Sequence, residues 1–355
     1  MWTSYRKFIV RSILEESETA KSFILVPLDG GPLAPFFPGQ HLPLRLHVSG
    51  QPRPVIRCYT LSDCFHQRHY RLTIKKEMPP PNNANLPAGL SSTYFHEVLQ
   101  VGDTIEAKAP SGKFYIDLNQ THPIVMLAGG IGVTPMISMI NGLCQTESNR
   151  DVYFVFALRH GGDHVFKKHL HSLTTYCPNI RMYVLYESPR PQDVPGIDFD
   201  QIGRIDGPLL RKILPSLHLE YYICGPSGMM NAISETLMNE GVPQEKIRTE
   251  SFGPSSLSFR SALAAEAETF PELTVTFAKS GKTIPWTTQT PTVLELAEMN
   301  GVEISSGCRY GDCGTCMTRL LRGTVTYLHP TDVHPDPGMC LPCSCKPETA
   351  IELDA

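Results

Sequence analysis

Ser305-Ser306-Gly307-Cys308-Arg309-Tyr310-Gly311-Asp312-Cys313-Gly314-Thr315-Cys316 decides how the chain is read. Three of its residues are cysteines spaced C-x4-C-x2-C, and a further group, Cys340, Cys343 and Cys345, follows near the C-terminus. Thiolates at this spacing hold a [2Fe–2S] cluster. The glycines fit that chemistry, because a loop wrapped around sulfide needs positive φ and close approach of backbone N–H groups. Those N–H groups donate to the sulfurs and tune the reduction potential. A four-cysteine zinc site pairs two short knuckles, which the x4 gap does not offer. A disulfide framework belongs to small secreted domains, and it is not expected of a chain this long whose start does not read as a signal peptide.

From about Leu273 onward the chain resembles plant-type ferredoxin domains. In that family the fourth ligand lies in a Leu-x-Cys-x-x-x-Pro pattern, and Leu341-Pro342-Cys343-Ser344-Cys345-Lys346-Pro347 puts Cys343 in register. The resemblance therefore implies Cys308, Cys313, Cys316 and Cys343 as iron ligands, with Cys340 and Cys345 as alternatives to the last. Leu273–Phe277 alternates as a strand and Val293–Met299 reads as a helix. Acidic residues outnumber basic ones in this segment. They suit a basic redox partner, although plain solubility explains them as well.

At 355 residues, the chain is long enough for two or three domains. Charged residues make up 19% and apolar ones 41%, a globular composition. A net charge of −4 argues against a nucleic-acid binder. No apolar run is long enough to span a membrane. Met1–Val10 has charges but no apolar core followed by a small-residue cleavage site, so a cytoplasmic protein is expected.

Between Arg6 and Leu118 the signals are strand-like: Phe8–Val10, Ser22–Val26, His41–Val48 and Tyr70–Ile74 are short runs separated by Gly, Pro, Asn and Asp. This predicts a small antiparallel barrel. Met78–Pro87, rich in proline and asparagine, reads as a loop. In Arg57-Cys58-Tyr59-Thr60-Leu61-Ser62, positions i and i+2 share a strand face, so Arg57 and Tyr59 point the same way. Gly89-Leu90-Ser91-Ser92-Thr93-Tyr94 reads as a glycine turn and an N-capped helix start, a favourable place for phosphate.

Those two stretches resemble the Arg-x-Tyr-Ser/Thr-x-Ser and Gly-x-x-Ser motifs of the ferredoxin–NADP reductase flavoprotein superfamily. The resemblance implies FAD. Arg57 would bind the flavin phosphate, Tyr59 would pack on the isoalloxazine or ribityl chain, and Thr60 would hydrogen-bond flavin N5. Gly89 and Ser92 would sit at the pyrophosphate, and Lys75 is a weaker FAD contact. Thr60 stands where the family usually has serine, and the hydroxyl is kept.

Pro123–Ala128 is a continuous apolar run, typical of a parallel strand buried on both faces. It leads into Gly129-Gly130-Ile131-Gly132-Val133-Thr134-Pro135, with Thr134 as N-cap and Pro135 in the first turn of a helix. Strand-like runs recur at Val152–Ala157, Arg181–Tyr186 and Tyr221–Ile223, with helical segments between them, predicting an α/β parallel sheet. Cys224-Gly225-Pro226 closes the last run, at the edge where such sheets bind ligands. Gly-Gly-x-Gly-x-Thr-Pro and Cys-Gly-Pro are again superfamily motifs. They imply Gly130, Gly132 and Thr134 along the NAD(P) pyrophosphate, with Cys224 and Gly225 near the nicotinamide. Glu250-Ser251-Phe252-Gly253-Pro254 resembles the family's domain end, where Phe252 would approach the flavin. Arg159 leaves NADPH open, and the lean is to NADH.

The predicted organisation is multidomain: an antiparallel β-barrel for FAD over 1–119, an α/β NAD(P)-binding sheet over 120–253 and a linker over 254–271. A β-grasp [2Fe–2S] ferredoxin domain over 272–355 completes it. The whole resembles reductase components of multicomponent oxygenases, in the flavohaemoglobin-reductase-like branch. That implies an NAD(P)H oxidoreductase for electron transport, with Thr60 and Cys224 nearest the hydride transfer. Electrons would leave singly for an external redox partner. A Rieske-type oxygenase is the first expectation, a cytochrome P450 or other haem protein the second. The rivals are direct reduction of a small molecule at the flavin and a redox-sensing binding protein.

Overall fold

The computed structural model describes residues 4–51, 54–79, 88–250, 252, 269–287, 290, 292–307, 309, 311, 314–328, 331 and 333–355. The chain divides into two units, Met1–Val55 with Tyr59–Gly253, and Ile56–Cys58 with Pro254–Ala355.

The first unit opens with strands β1 (Arg6–Glu15), β2 (Ala20–Pro27), β3 (His41–Leu46), β4 (Val55–Thr60), β5 (Tyr70–Lys75) and β6 (Thr104–Ala107). They pair in the order β4-β3-β6-β1-β2-β5. A bridge from Leu61, just past β4, to Leu72 of β5 joins the two edges, so the antiparallel sheet closes on itself as expected. Inward positions such as Phe8, Phe23, Leu25, Leu44 and Leu72 are fully buried, and Phe23 packs edge-on against Phe95 at 5.0 Å.

Next comes a parallel sheet of β7 (Ile124–Gly129), β8 (Val152–Leu158), β9 (Ile180–Tyr186), β10 (Gln201–Ile202), β11 (Glu220–Cys224) and β12 (Ile247–Glu250), ordered β10-β9-β8-β7-β11-β12. Every residue of β7 is buried, because helices cover both faces of a central parallel strand. The covering helices are α2 (Val133–Gln145), α3 (Lys167–Tyr176), α4 (Gly207–Ile213) and α5 (Ser227–Asn239); the short α1 (Leu90–Thr93) precedes them in the barrel. Helix α2 is apolar almost all round because it is covered on two sides. One side lies on the sheet; on the other a methyl added at Gly142 would come within 2.7 Å of Pro38, and Ser138 Oγ accepts from Gly39 N at 3.1 Å. The barrel is thereby packed onto the helix that follows the glycine-rich turn.

Two local expectations are corrected. Gly130–Gly132 winds into a single 3-10 turn, so the cap of α2 falls on Gly132 rather than Thr134, whose hydroxyl instead donates to Ile131 O at 3.1 Å. Likewise α1 is four residues long and widens into a π turn over Tyr94–Val98, with Gly89 at its N-cap and no side-chain cap. A disulfide joins Cys144, at the end of α2, to Cys177, past α3.

In the second unit, β13 (Thr269–Phe277), β14 (Lys282–Thr287), β15 (Thr318–Arg322), β17 (Met339–Cys340) and β19 (Ile351–Leu353) form a mixed sheet ordered β14-β13-β19-β15-β17. A separate pair links β16 (Val325–Tyr327) and β18 (Cys345–Pro347). Helix α6 (Val293–Met299) is capped by Thr292, whose hydroxyl accepts from Glu295 N at 3.2 Å. Its Val293, Leu296 and Ala297 pack with Val275, Phe277 and Trp286 in the core. The expected linker lies outside the described residues as far as Glu268. Among the described residues no helix is long and apolar enough to cross a membrane.

Candidate active site and cluster loop

The glycine-rich turn after β7 and the Cys-Gly-Pro turn after β11 meet at the carboxyl end of the sheet, and glycine is what lets them meet. A methyl placed on Gly132 would lie 2.2 Å from Cys224 O and 2.8 Å from Gly225 N; one on Gly225 would lie 2.9 Å from Gly129 N. The two turns are therefore in backbone-to-backbone contact. Gly130 differs: its φ is +53° and the space beside it is open. Thr134 is buried in the first turn of α2. Such a crevice, outside the carboxyl ends of parallel strands, is where α/β sheets hold ligands.

Cys224 is fully buried, and burial pushes its thiol well above the usual range, with the neighbouring Glu250 carboxyl adding to the rise. Glu250 enters because β12 pairs with β11 in parallel, placing it level with Cys224. Its own carboxyl is raised by burial, opposed by His41, whose Nδ1 stands 3.9 Å from Glu250 Oε1. Thr60, at the end of β4, interacts with the same carboxyl and lowers its pKa, and Thr60 Oγ1 and Glu250 Oε2 are both buried and without a partner of full hydrogen-bond geometry among the described residues. Buried polar atoms of native proteins are mostly paired, so these two are candidates to meet a ligand. Sequence reasoning quoted Glu250 but used only the aromatic two residues on, and it did not single out His41. Phe252 itself is 43% exposed.

Along the barrel, Tyr59 OH pairs with Ser91 Oγ at 2.8 Å while its ring meets Phe95 edge-on at 5.2 Å. Ser92 Oγ accepts from Glu77 N and donates to Gly89 O, both at 3.0 Å, and a methyl on Gly89 would come within 2.8 Å of that oxygen. This seats the glycine turn against the end of β5, where Lys75 is partly exposed. Arg57 is exposed, and its Nη1 donates to Ile56 O at 2.7 Å.

In the second unit, Cys308 and Cys313 lie outside the described residues. Cys316 and Cys343 are both buried, with their sulfurs 3.1 Å apart. Cys340 and Cys345 are buried and pack with Val275, Phe277 and Ile351 in the main core, and the neighbouring Cys340, together with burial, raises the Cys345 thiol. Gly311 and Gly314 have φ of +84° and +68°, the left-handed backbone expected of a tight sulfide loop. A methyl on Gly311 would lie 2.7 Å from Ser344 Oγ, so the loop is drawn against the residue that follows Cys343. Arg309 forks onto Glu298 of α6 at 2.7 and 2.5 Å and anchors the loop's near end. Two buried sulfurs in contact, flanked by left-handed glycines, fit the donor chemistry of an iron–sulfur site.

Three family models match in succession: an oxidoreductase FAD-binding domain over residues 32–116, an oxidoreductase NAD-binding domain over 126–235 and a 2Fe-2S iron-sulfur cluster binding domain over 275–348. A flavohemoprotein of Bacillus cereus is 36% identical over 255 residues, which are 72% of this chain and 62% of that protein. The chain thus spans about three fifths of the length of the curated relatives it matches. The flavohem-like FAD/NAD binding domain of nitric oxide dioxygenase from Vibrio cholerae is 30% identical with a TM-score of 0.62, over 70% of this chain and 99% of that one. Phthalate dioxygenase reductase, at 22% identity and a TM-score of 0.58, is similar in fold over 99% of this chain and 98% of its own. The chain belongs to the ferredoxin–NADP reductase superfamily, with oxidoreductase FAD-binding and NAD-binding domains followed by a [2Fe–2S] domain.

Proposed function

We propose that this chain is an NADH-dependent reductase that hands electrons one at a time to a separate protein in the cytoplasm, in the first instance a Rieske-type oxygenase component. The observation that carries it is the pair of Thr60 Oγ1 and Glu250 Oε2 beside Cys224, both buried and without a hydrogen-bond partner among the described residues. Bound FAD supplies acceptance of a hydride and release of single electrons, and a [2Fe–2S] cluster carries single electrons onward. The protein's task is positioning.

In this reading Arg57 holds the flavin phosphate, Tyr59 braces the ring or ribityl chain, and Thr60 donates to N5. Gly89 and Ser92 shape the pyrophosphate turn, with Lys75 at its edge. Gly130, Gly132 and Thr134 line the dinucleotide pyrophosphate, while Cys224 and Gly225 form the floor under the nicotinamide and Phe252 its rim. The raised thiol keeps Cys224 neutral, so it acts by packing and not as a nucleophile. Cys308, Cys313, Cys316 and Cys343 hold the irons. The working division is 1–119, 120–253, a linker 254–271 and 272–355.

NADH is favoured, although Arg159 just past β8 is exposed, because the guanidiniums that follow β9 are committed. Arg190 forks onto Glu18 at 2.6 and 2.9 Å, and Arg204 pairs with Glu187. A dioxygenase-reductase likeness spanning the whole chain supports the oxygenase acceptor, while the flavohemoprotein relatives favour a haem protein as the second reading. Anaerobic titration with NADH, and separately NADPH, tests the proposal. Flavin bleaching accompanied by a rhombic reduced-cluster EPR signal is expected with NADH. Bleaching without that signal, in protein containing iron and sulfide, sinks the relay.

A further inference from the structure

The loop from Leu61 to His69, between β4 and β5, carries Asp63, Cys64, His66 and His69. One ligand atom from each of Asp63, His66 and His69 lies within 4.8 Å of the others. Asp63 Oδ2 stands 3.4 Å from His66 Nε2, and the rings of His66 and His69 stack at 5.2 Å. A separation of 3.4 Å is long for a good hydrogen bond between these atoms. It is, however, the edge expected of a tetrahedron whose N and O ligands sit about 2.0–2.2 Å from an ion.

The carboxylate is held so that only one oxygen is left to turn outward. Its Oδ1 accepts from Asn141 Nδ2 at 2.7 Å and from Cys64 N at 2.9 Å, and Asp63 O accepts from Ser138 Oγ at 2.7 Å. Asn141 is itself paired through Oδ1 with His169 Nε2 at 2.9 Å. Such outer hydrogen bonds orient metal ligands. The His66 side chain is 38% exposed and Asp63 18%, so an ion has a way in. Cys64 Sγ lies 3.8 Å from His66 Nε2.

We propose that Asp63, His66 and His69 form a binding site for one divalent ion of the Zn2+ class, separate from the iron–sulfur loop. Two imidazoles and one carboxylate suit Zn2+, Co2+, Ni2+ or Cu2+; Ca2+ and Mg2+ demand more oxygen ligands. Because Asp63 is bonded to Ser138 and Asn141 of α2, an ion here pins the barrel loop to the helix that follows the Gly130–Gly132 turn.

The test is equilibrium dialysis of the FAD- and cluster-loaded protein against chelator-buffered Zn2+, with zinc and iron both measured by mass spectrometry. His66→Gln and His69→Gln, separately and together, are compared with the parent, and FAD content with melting temperature confirms that each variant is folded. One zinc per chain is expected at unchanged iron, with affinity at least tenfold weaker in each single variant and no specific uptake in the double. A parent that takes up no zinc, equal uptake by the double variant, or zinc gained only as iron is lost overturns the site. The parent should also melt higher with Zn2+ than without, and the double variant should not; a shift of the same size in both counts against the proposal.

Discussion

Gly132→Ala tests whether backbone contact between the two turns sets the nicotinamide floor. The added methyl would lie 2.2 Å from Cys224 O, which is 1.2 Å inside the 3.4 Å at which ordinary contact begins. No side chain can swing away, because the atoms met first are Cys224 O, Cys224 C and Gly225 N. One turn must move by about an ångström. Overpacking of this kind costs about 1–3 kcal/mol, or roughly 2–12 °C of melting temperature in a unit of this size. Displacing a reacting partner by about 1 Å costs on the order of 100-fold in rate. The control is Gly130→Ala, where the penalty is only the left-handed backbone, about 1–2 kcal/mol, and the methyl meets nothing within 4 Å. Stopped-flow flavin reduction at saturating NADH, beside thermal melts, reads both effects. Gly132→Ala should lose rate far beyond its loss of stability, while Gly130→Ala should lose comparable stability and keep most of its saturated rate. Parental reduction and melting in Gly132→Ala would refute the reasoning.

The ligand choice is tested by Cys343→Ser against Cys345→Ser. The first should lose most of its iron, because Cys343 faces Cys316 at 3.1 Å. The second should keep iron and lose about 1–3 kcal/mol from an ill-paired hydroxyl in the core; iron content that falls only in Cys345→Ser reverses the assignment. His164 carries a pH dependence. Buried against Phe156, with Nδ1 at 2.7 Å from Tyr186 OH, it is lowered from 6.5 to about 4, burial being the main cause. The unfolded chain therefore binds this proton first, so the contribution is full above about pH 6.5 and drains away as pH falls toward 4. That amounts to about 2 kcal/mol between pH 7 and pH 5. Urea titrations should show His164→Phe less pH-sensitive by this amount, and an unchanged slope would mean His164 is not the group responsible.

The residues legible in the sequence are those whose job is local. Gly130 and Gly132 sit where strand, turn and helix follow one another in the chain, and Cys224-Gly225-Pro226 marks a strand end in the same way. The two helix starts were misread for the converse reason. Thr134 is a capping residue by type, but the backbone before it has already turned into a 3-10 winding; at the other start the glycine turn at Gly89 is present but no side chain caps it. Glu250 was visible as a letter, and only the pairing of β12 with β11 makes it a buried carboxyl level with Cys224. His41 reaches it from β3, more than two hundred residues earlier, and no spacing rule connects such positions. The Cys144–Cys177 pair is similarly silent, since α3 must first lie beside α2.

One physical difference separates what was read from what was missed. Glycine turns and cysteine spacings are constraints on neighbouring backbone, and a sequence displays them directly. Burial is a constraint imposed by distant strands, and it is burial that raises Glu250 and Cys224. The site therefore combines two kinds of element. The turns can be located by motif, while the buried grouping of Thr60, Glu250 and Cys224 is made only by the assembled sheet and barrel. Hydride moves between stacked rings without a required acid or base, so positioning is what the transfer asks of the protein. Burial raises the Glu250 carboxyl, while the His41 contact at 3.9 Å pulls the other way and favours its charged form.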